Sequence, residues 1–203
     1  MPIGSGRIDP AGQDADTTLP GEGFYRFLRY GHILSSLLRE FLETSFLDQL
    51  VPFRLTRSQF CFLKLIAANT DLQVGELAWS LGVSPASSSK NIDRLEELGL
   101  VVRETSPRDR RATLLSASPA GKNLVCEFER LKTAQLAPVI AELGEEKTAE
   151  LCDLLQDVCL KLLEQHTHPD APCLRCAGYF RQDCAVEELQ GGCALKPRRA
   201  AEA

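Results

Sequence analysis

Apolar residues fall on helical spacing over most of this chain, and each break in that spacing marks a boundary. From Phe24 onward, Phe27, Leu28, Leu34, Leu37, Leu38, Phe41 and Leu42 line one helical face, wide enough to need cover from beyond its own domain. A partner subunit is the simplest cover. Thr56-x-x-Gln59 has the form of a capping box, and Phe60, Leu63, Leu65 and Ile66 then place a helix in a core, with Cys61 among them as a small core side chain. Asn69-Thr70-Asp71 ends that helix ahead of a short extended stretch, Leu72 to Val74. Further on, Ser118-Pro119 starts a helix whose Leu124, Phe128 and Leu131 line one face as far as Pro138. A last long helix runs from Glu145 to Gln165 with Leu151, Leu154, Leu155, Val158 and Leu162 inward. Cys152 and Cys159 share its inward stripe and read as buried packing, since two helical turns separate them by about 10.5 Å and they cannot hold one metal unaided.

Between these helices lies the stretch that the rest serves. Leu77 to Val83 reads as a short helix with a tight break, and a second helix follows to Leu98, begun by Ser84 as cap and Pro85 at the first helical position. Ile92, Leu95 and Leu98 make its buried stripe and leave Ser87, Ser88, Ser89, Lys90, Asn91 and Arg94 on other faces. Consecutive serines are poor helix formers, so their hydroxyls, beside Lys90 and an amide, suit phosphates and base edges. Two β-rich runs come next, Leu100 to Thr105 and Ala112 to Ala117, pinched around Arg108, Asp109, Arg110 and Arg111. An arginine at such a tip reaches a narrow minor groove, with a nearby carboxylate to hold it. A helix-turn-helix followed at once by a basic hairpin is the layout of a winged helix.

The segment resembles the MarR family of winged-helix regulators. The resemblance is carried by Leu77-Ala78, Leu81-Gly82-Val83-Ser84, the run from Asp93 through Leu98-Gly99-Leu100-Val101, the wing Asp109-Arg110-Arg111, and Ser118-Pro119-Ala120-Gly121. With the flanking helices it extends over about Phe24 to Gln165. Ser88 and Asn91 stand where the family commonly carries apolar residues, and Ser118-Pro119-Ala120 replaces its usual Leu-Thr. The resemblance implies an obligate homodimer on a palindromic operator, with the first and last helices forming the dimer interface.

The expected fold is thus mainly α with a small β-wing: a winged helix-turn-helix in a helical dimer, followed by a small cysteine-rich tail. Residues 1–20, poor in large apolar side chains, form a disordered arm. Residues 21–55 hold the N-terminal dimerisation helix and linker, 56–118 the DNA-binding domain, 119–167 the C-terminal dimerisation helices, and 168–203 the tail.

A formal net charge of -5 does not exclude a nucleic-acid partner. From Asp71 to Ser118 there are 6 Lys/Arg against 7 Asp/Glu, so attraction to phosphate depends on where Lys90, Arg94, Arg103 and the wing arginines sit. No apolar run approaches membrane-spanning length and no signal-peptide pattern opens the chain, which points to a cytoplasmic protein without a membrane partner. No convergent catalytic set and no phosphate-binding glycine loop is visible, so an enzyme is not expected. Nothing in the sequence identifies a small-molecule effector.

Half of the 8 cysteines lie in the tail: Cys173, Cys176, Cys184 and Cys193, spaced C-x2-C-x7-C-x8-C. Intracellular thiols stay reduced, so this crowding points to a metal site rather than a disulfide framework. With one C-x2-C pair and no histidine within the set, the spacing favours an iron–sulfur cluster, [4Fe–4S] before [2Fe–2S], with zinc the alternative. The function expected is a regulator, acting as a repressor, whose tail cluster senses redox state or oxygen. Its rivals are the same regulator with a structural zinc tail, and a winged-helix protein adaptor that binds no DNA.

Overall fold

The computed structural model describes residues 21–69, 72–106 and 113–165. It divides into two compact units, the first ending at Arg39 and the second starting at Glu40. The first unit contains helix α1 (Glu22–Glu40) up to its last residue; the helix has no buried residue, and Phe24, Phe27, Leu28, Leu34, Leu37 and Leu38 are all exposed.

The second unit opens on a π-helical turn (Phe41–Ser45) and α2 (Phe46–Leu50), followed by α3 (Arg57–Ala68), β1 (Leu72–Gln73), α4 (Val74–Leu81) and α5 (Pro85–Glu97). Then come β2 (Val101–Thr105), β3 (Thr113–Ala117), α6 (Pro119–Ala141) and α7 (Glu145–Gln165). The strands form one antiparallel sheet in the order β1-β3-β2, with Leu115 opposite both Leu72 and Arg103. The expected extended stretch is therefore strand for Leu72 and Gln73, paired with a wing strand, while Val74 begins α4.

Helix α3 is the centre of the core because it carries Phe60 through Ile66 as an unbroken buried run. Its start is the expected capping box: the Gln59 N–H donates to Thr56 Oγ1 at 3.3 Å, and the Thr56 N–H donates to Gln59 Oε1 at 2.9 Å. Against α3 pack α5, α6 and β3. Phe128 of α6 joins three helices, its ring centre 4.4 Å from that of Phe60 and 6.2 Å from that of Phe46. Phe46, Leu47 and Leu55, placed by sequence in a linker, are core residues.

Two expectations need correction. Helix α6 does not stop at Pro138 but runs through it to Ala141. The proline removes one backbone donor and crowds the Ala134 carbonyl, but this end of the helix is exposed, so water can satisfy what the ladder loses. Leu151, Leu154, Leu155 and Leu162 are exposed in the single chain rather than inward, and Cys152 and Cys159 with them. The helical spacing of α7 is right, but its apolar face is exposed among the described residues.

Candidate nucleic-acid interface

Two glycines close the helices of the central motif. Gly82, at φ 60, lets the Val83 N–H reach the Ala78 carbonyl at 3.0 Å and ends α4. Gly99, at φ 69, lets the Leu100 N–H reach the Leu95 carbonyl at 2.9 Å and ends α5. Both are the left-handed terminus that an L side chain resists. Ser84 starts α5 as expected: its Oγ accepts from the Ser87 N–H at 3.2 Å, and Pro85 follows at the first helical position.

Ile92 and Leu95 are fully buried, and α5 lies against α3, α4 and β2. Ser88 extends that buried stripe, which corrects its assignment as a DNA contact. It is fully buried, and its Oγ donates to the Val74 carbonyl at 3.4 Å, tying α5 to the start of α4. A residue at that place packs against α4 and reaches no duplex. Ser87, Lys90 and Arg94 are exposed, and Ser89 and Asn91 half-buried. The Asn91 Nδ2 donates to the Ser87 carbonyl at 2.9 Å.

The cations are not equivalent. Arg103, counted in the sequence as attractive to phosphate, is held by two carboxylates of α5: Nη2 lies 2.5 Å from Asp93 Oδ1 and Nη1 lies 2.8 Å from Glu96 Oε2. It joins strand to helix instead. Arg94 pairs with Glu97 at 3.0 Å on an open surface, a contact weak enough to be exchanged for a phosphate. Lys90 has no acidic partner among the described residues, so it is the cation that α5 holds ready.

The base of the wing is built on Ser118. Its N–H donates to the Leu100 carbonyl at 3.0 Å, its Oγ donates to the Gly99 carbonyl at 2.6 Å, and the same Oγ accepts from the Gly121 N–H at 3.0 Å. One residue thereby caps α6 and fastens it to the end of α5. The tip residues Arg108, Asp109, Arg110 and Arg111 lie outside the described residues, as do Cys173, Cys176, Cys184 and Cys193. Among the described residues no group of three or more His, Cys, Asp or Glu comes together to hold a metal.

A capped helix presented on α4, with a three-stranded wing fastened behind it, defines a winged helix-turn-helix unit. A sequence profile of the MarR family matches residues 55–112. A candidate transcriptional regulatory protein for the hcr operon of Thauera aromatica is 33% identical over 140 residues, covering 68% of this chain and 80% of that protein. The chain belongs to the MarR family of winged-helix regulators. Solved structures agree on the fold. FabT of Streptococcus pneumoniae, determined in complex with DNA, superposes with a TM-score of 0.59 at 20% identity, covering 69% of this chain and 99% of that one. The transcriptional repressor CouR, bound to a 23-mer DNA duplex, gives 0.51 at 27% identity, covering 70% and 99%. The Thauera aromatica protein and CouR carry the names of regulators, in keeping with the expectation that the chain is not an enzyme.

No described helix is long and apolar enough to cross a membrane.

Proposed function

We propose that this protein is a DNA-binding transcriptional regulator that sits as a homodimer on a palindromic operator in the cytoplasm and acts as a repressor. The observation that carries the reading is the polarity of α5. Its Ser88, Ile92 and Leu95 stripe is buried while Ser87, Lys90 and Arg94 are exposed and Asn91 half-buried on a capped, glycine-closed helix. A helix so mounted enters a major groove, and FabT and CouR, which share the fold, were each solved with DNA. The wing residues Arg108, Asp109, Arg110 and Arg111 supply the adjoining backbone or minor-groove contact. The dimer is supported by the apolar faces of α1 and α7, both exposed among the described residues.

We further propose that Cys173, Cys176, Cys184 and Cys193 bind an iron–sulfur cluster, [4Fe–4S] before [2Fe–2S], whose loss on oxidation weakens operator binding. The support is the crowding and spacing of these thiols, the first of which lies eight residues after the end of α7.

Titration of the full-length protein into duplexes selected from a random pool, at several salt concentrations, tests the first reading. The expected result is sequence-selective binding that falls steeply with salt. Salt-insensitive or absent binding would leave the adaptor reading in its place. For the tail, anaerobic absorption with iron, sulfide and zinc content separates cluster from zinc. Ser replacements at Cys173 and Cys176 that leave the response to oxidants unchanged would remove the sensing role without touching DNA binding.

A further inference from the structure

Ser87, Lys90, Asn91 and Arg94 recur at i, i+3, i+4 and i+7, so they form one face of α5, with Asn91 half-buried at the edge next to the Ser88, Ile92 and Leu95 stripe. Their hydrogen-bonding capacities differ. Lys90 and Arg94 carry only donors, and Arg94 is engaged by Glu97. Asn91 brings donors and an acceptor, and the backbone uses the donor end: Nδ2 donates to the Ser87 carbonyl at 2.9 Å. The reversed amide would set oxygen against oxygen, so this bond fixes which end is which. Oδ1 has no partner among the described residues, and it is not one of the buried atoms left unsatisfied, so it is open to solvent. Asparagine is also a poorer helix former than alanine in this interior position, so the helix itself gains nothing from it.

We propose that Asn91 is a base-reading residue whose Oδ1 accepts a hydrogen bond from an exocyclic amino group in the major groove, N6 of adenine or N4 of cytosine. Only these two bases offer a donor there; guanine and thymine present acceptor oxygens, which would meet Oδ1 repulsively. Lys90, one residue earlier, supplies donors for a neighbouring phosphate. Each half-site therefore carries one position at which A or C is selected through Asn91. The assignment rests on the DNA-binding reading above.

The test is selection from a randomised duplex library with full-length wild type, N91A and N91D, followed by affinities for the enriched duplexes. Wild type is expected to enrich a motif with A or C at one position per half-site. N91A, which folds at least as readily, is expected to enrich the same motif with the preference at that one position relaxed about tenfold. N91D retains an acceptor and keeps the preference while binding more weakly beside phosphates. Replacing the selected base by purine, or by a pyrimidinone lacking the amino group, lowers wild-type affinity and leaves N91A unaffected, and so tells adenine from cytosine. The proposal is overturned if N91A keeps the wild-type preference at every position, or if the Asn91-sensitive position selects G or T. If wild type enriches no sequence, the DNA-binding reading falls first and Asn91 has nothing to read.

Discussion

The Lys64 ammonium of α3 lies 3.0 Å from the Glu129 carboxylate of α6, and Lys132 donates to the other oxygen of the same carboxylate. Lys64 is 8% exposed, so the contact sits inside the seam between the winged helix and the helix that leads away from it. Burial pushes the Glu129 carboxyl upward, but hydrogen bonds and charge from Lys132 and Lys64 outweigh it and hold the carboxyl below the usual range. The stability Glu129 supplies is thus present above the unfolded glutamate value of about 4.3 and is lost as pH falls through its lower folded value. Glu129→Gln is expected to flatten the acid limb of the stability curve. At neutral pH it costs about 1–2 kcal/mol, after discounting for the open side of the carboxylate. Urea unfolding from pH 7 to 3 checks both; an unchanged acid limb would show that the carboxylate is not charged-paired in solution.

Arg103 fastens β2 to α5 through Asp93 and Glu96, both of them half open to water. Arg103→Ala is expected to lower the stability by less than about 1 kcal/mol yet to weaken DNA binding more than that loss explains, because wing and helix no longer hold one register. Thermal unfolding and binding, measured on the same samples, separate the two. Equal losses would mean the clasp is only structural.

Gly121 and Gly99 are required for different reasons, and alanine tells them apart. A Cβ at Gly121 would stand 2.1 Å from the Leu100 carbonyl oxygen and 3.0 Å from Leu63 Cδ1. The backbone itself must move, at a cost of about 1–3 kcal/mol. At Gly99 nothing lies within 4 Å, but φ is +69, so alanine there costs roughly 1–2 kcal/mol through strain alone. Asparagine, which tolerates that backbone, should recover part of the loss at Gly99 and none at Gly121. Denaturant midpoints for the four variants decide this.

Leu155→Glu and Leu162→Glu change side chains that are exposed in the single chain, so the fold of one subunit is expected to survive. The proposed dimer is not. Sedimentation should show a shift to monomer, with helical content kept and operator binding lost; a persisting dimer would place the interface elsewhere.

Lys90→Ala is expected to reduce the slope of log affinity against log salt by about one for each subunit in contact, with little change in base preference. An unchanged slope would mean that Lys90 meets no phosphate.

Much of this architecture is legible in the residues because its boundaries are set by local chemistry. Thr56 with Gln59, Ser84 with Pro85 and Ser118 with Pro119 each announce a helix start, and each is found capped. The place of Ser88 is legible from spacing and not from residue type. Three serines in a row look alike by type, whereas spacing puts Ser88 four residues before Ile92 and seven before Leu95, on the buried stripe. The resemblance gave the same signal, since relatives commonly place an apolar residue there. The fate of Arg103 was not readable, because its acidic partners lie seven and ten residues earlier and meet it only once β2 folds back along α5. The α7 stripe was correctly periodic, but periodicity tells which face is apolar and not which molecule covers it.

Ser118 grips Gly99 and Leu100 just where the chain departs into and returns from the wing. The strands beyond that clamp are tied at both ends and also along their base, because Val101, Leu115 and Ala117 are buried in the core. A segment grafted between Thr105 and Thr113, which pair at the open end of the two strands, would enter on an anchored hairpin and leave α5 in place.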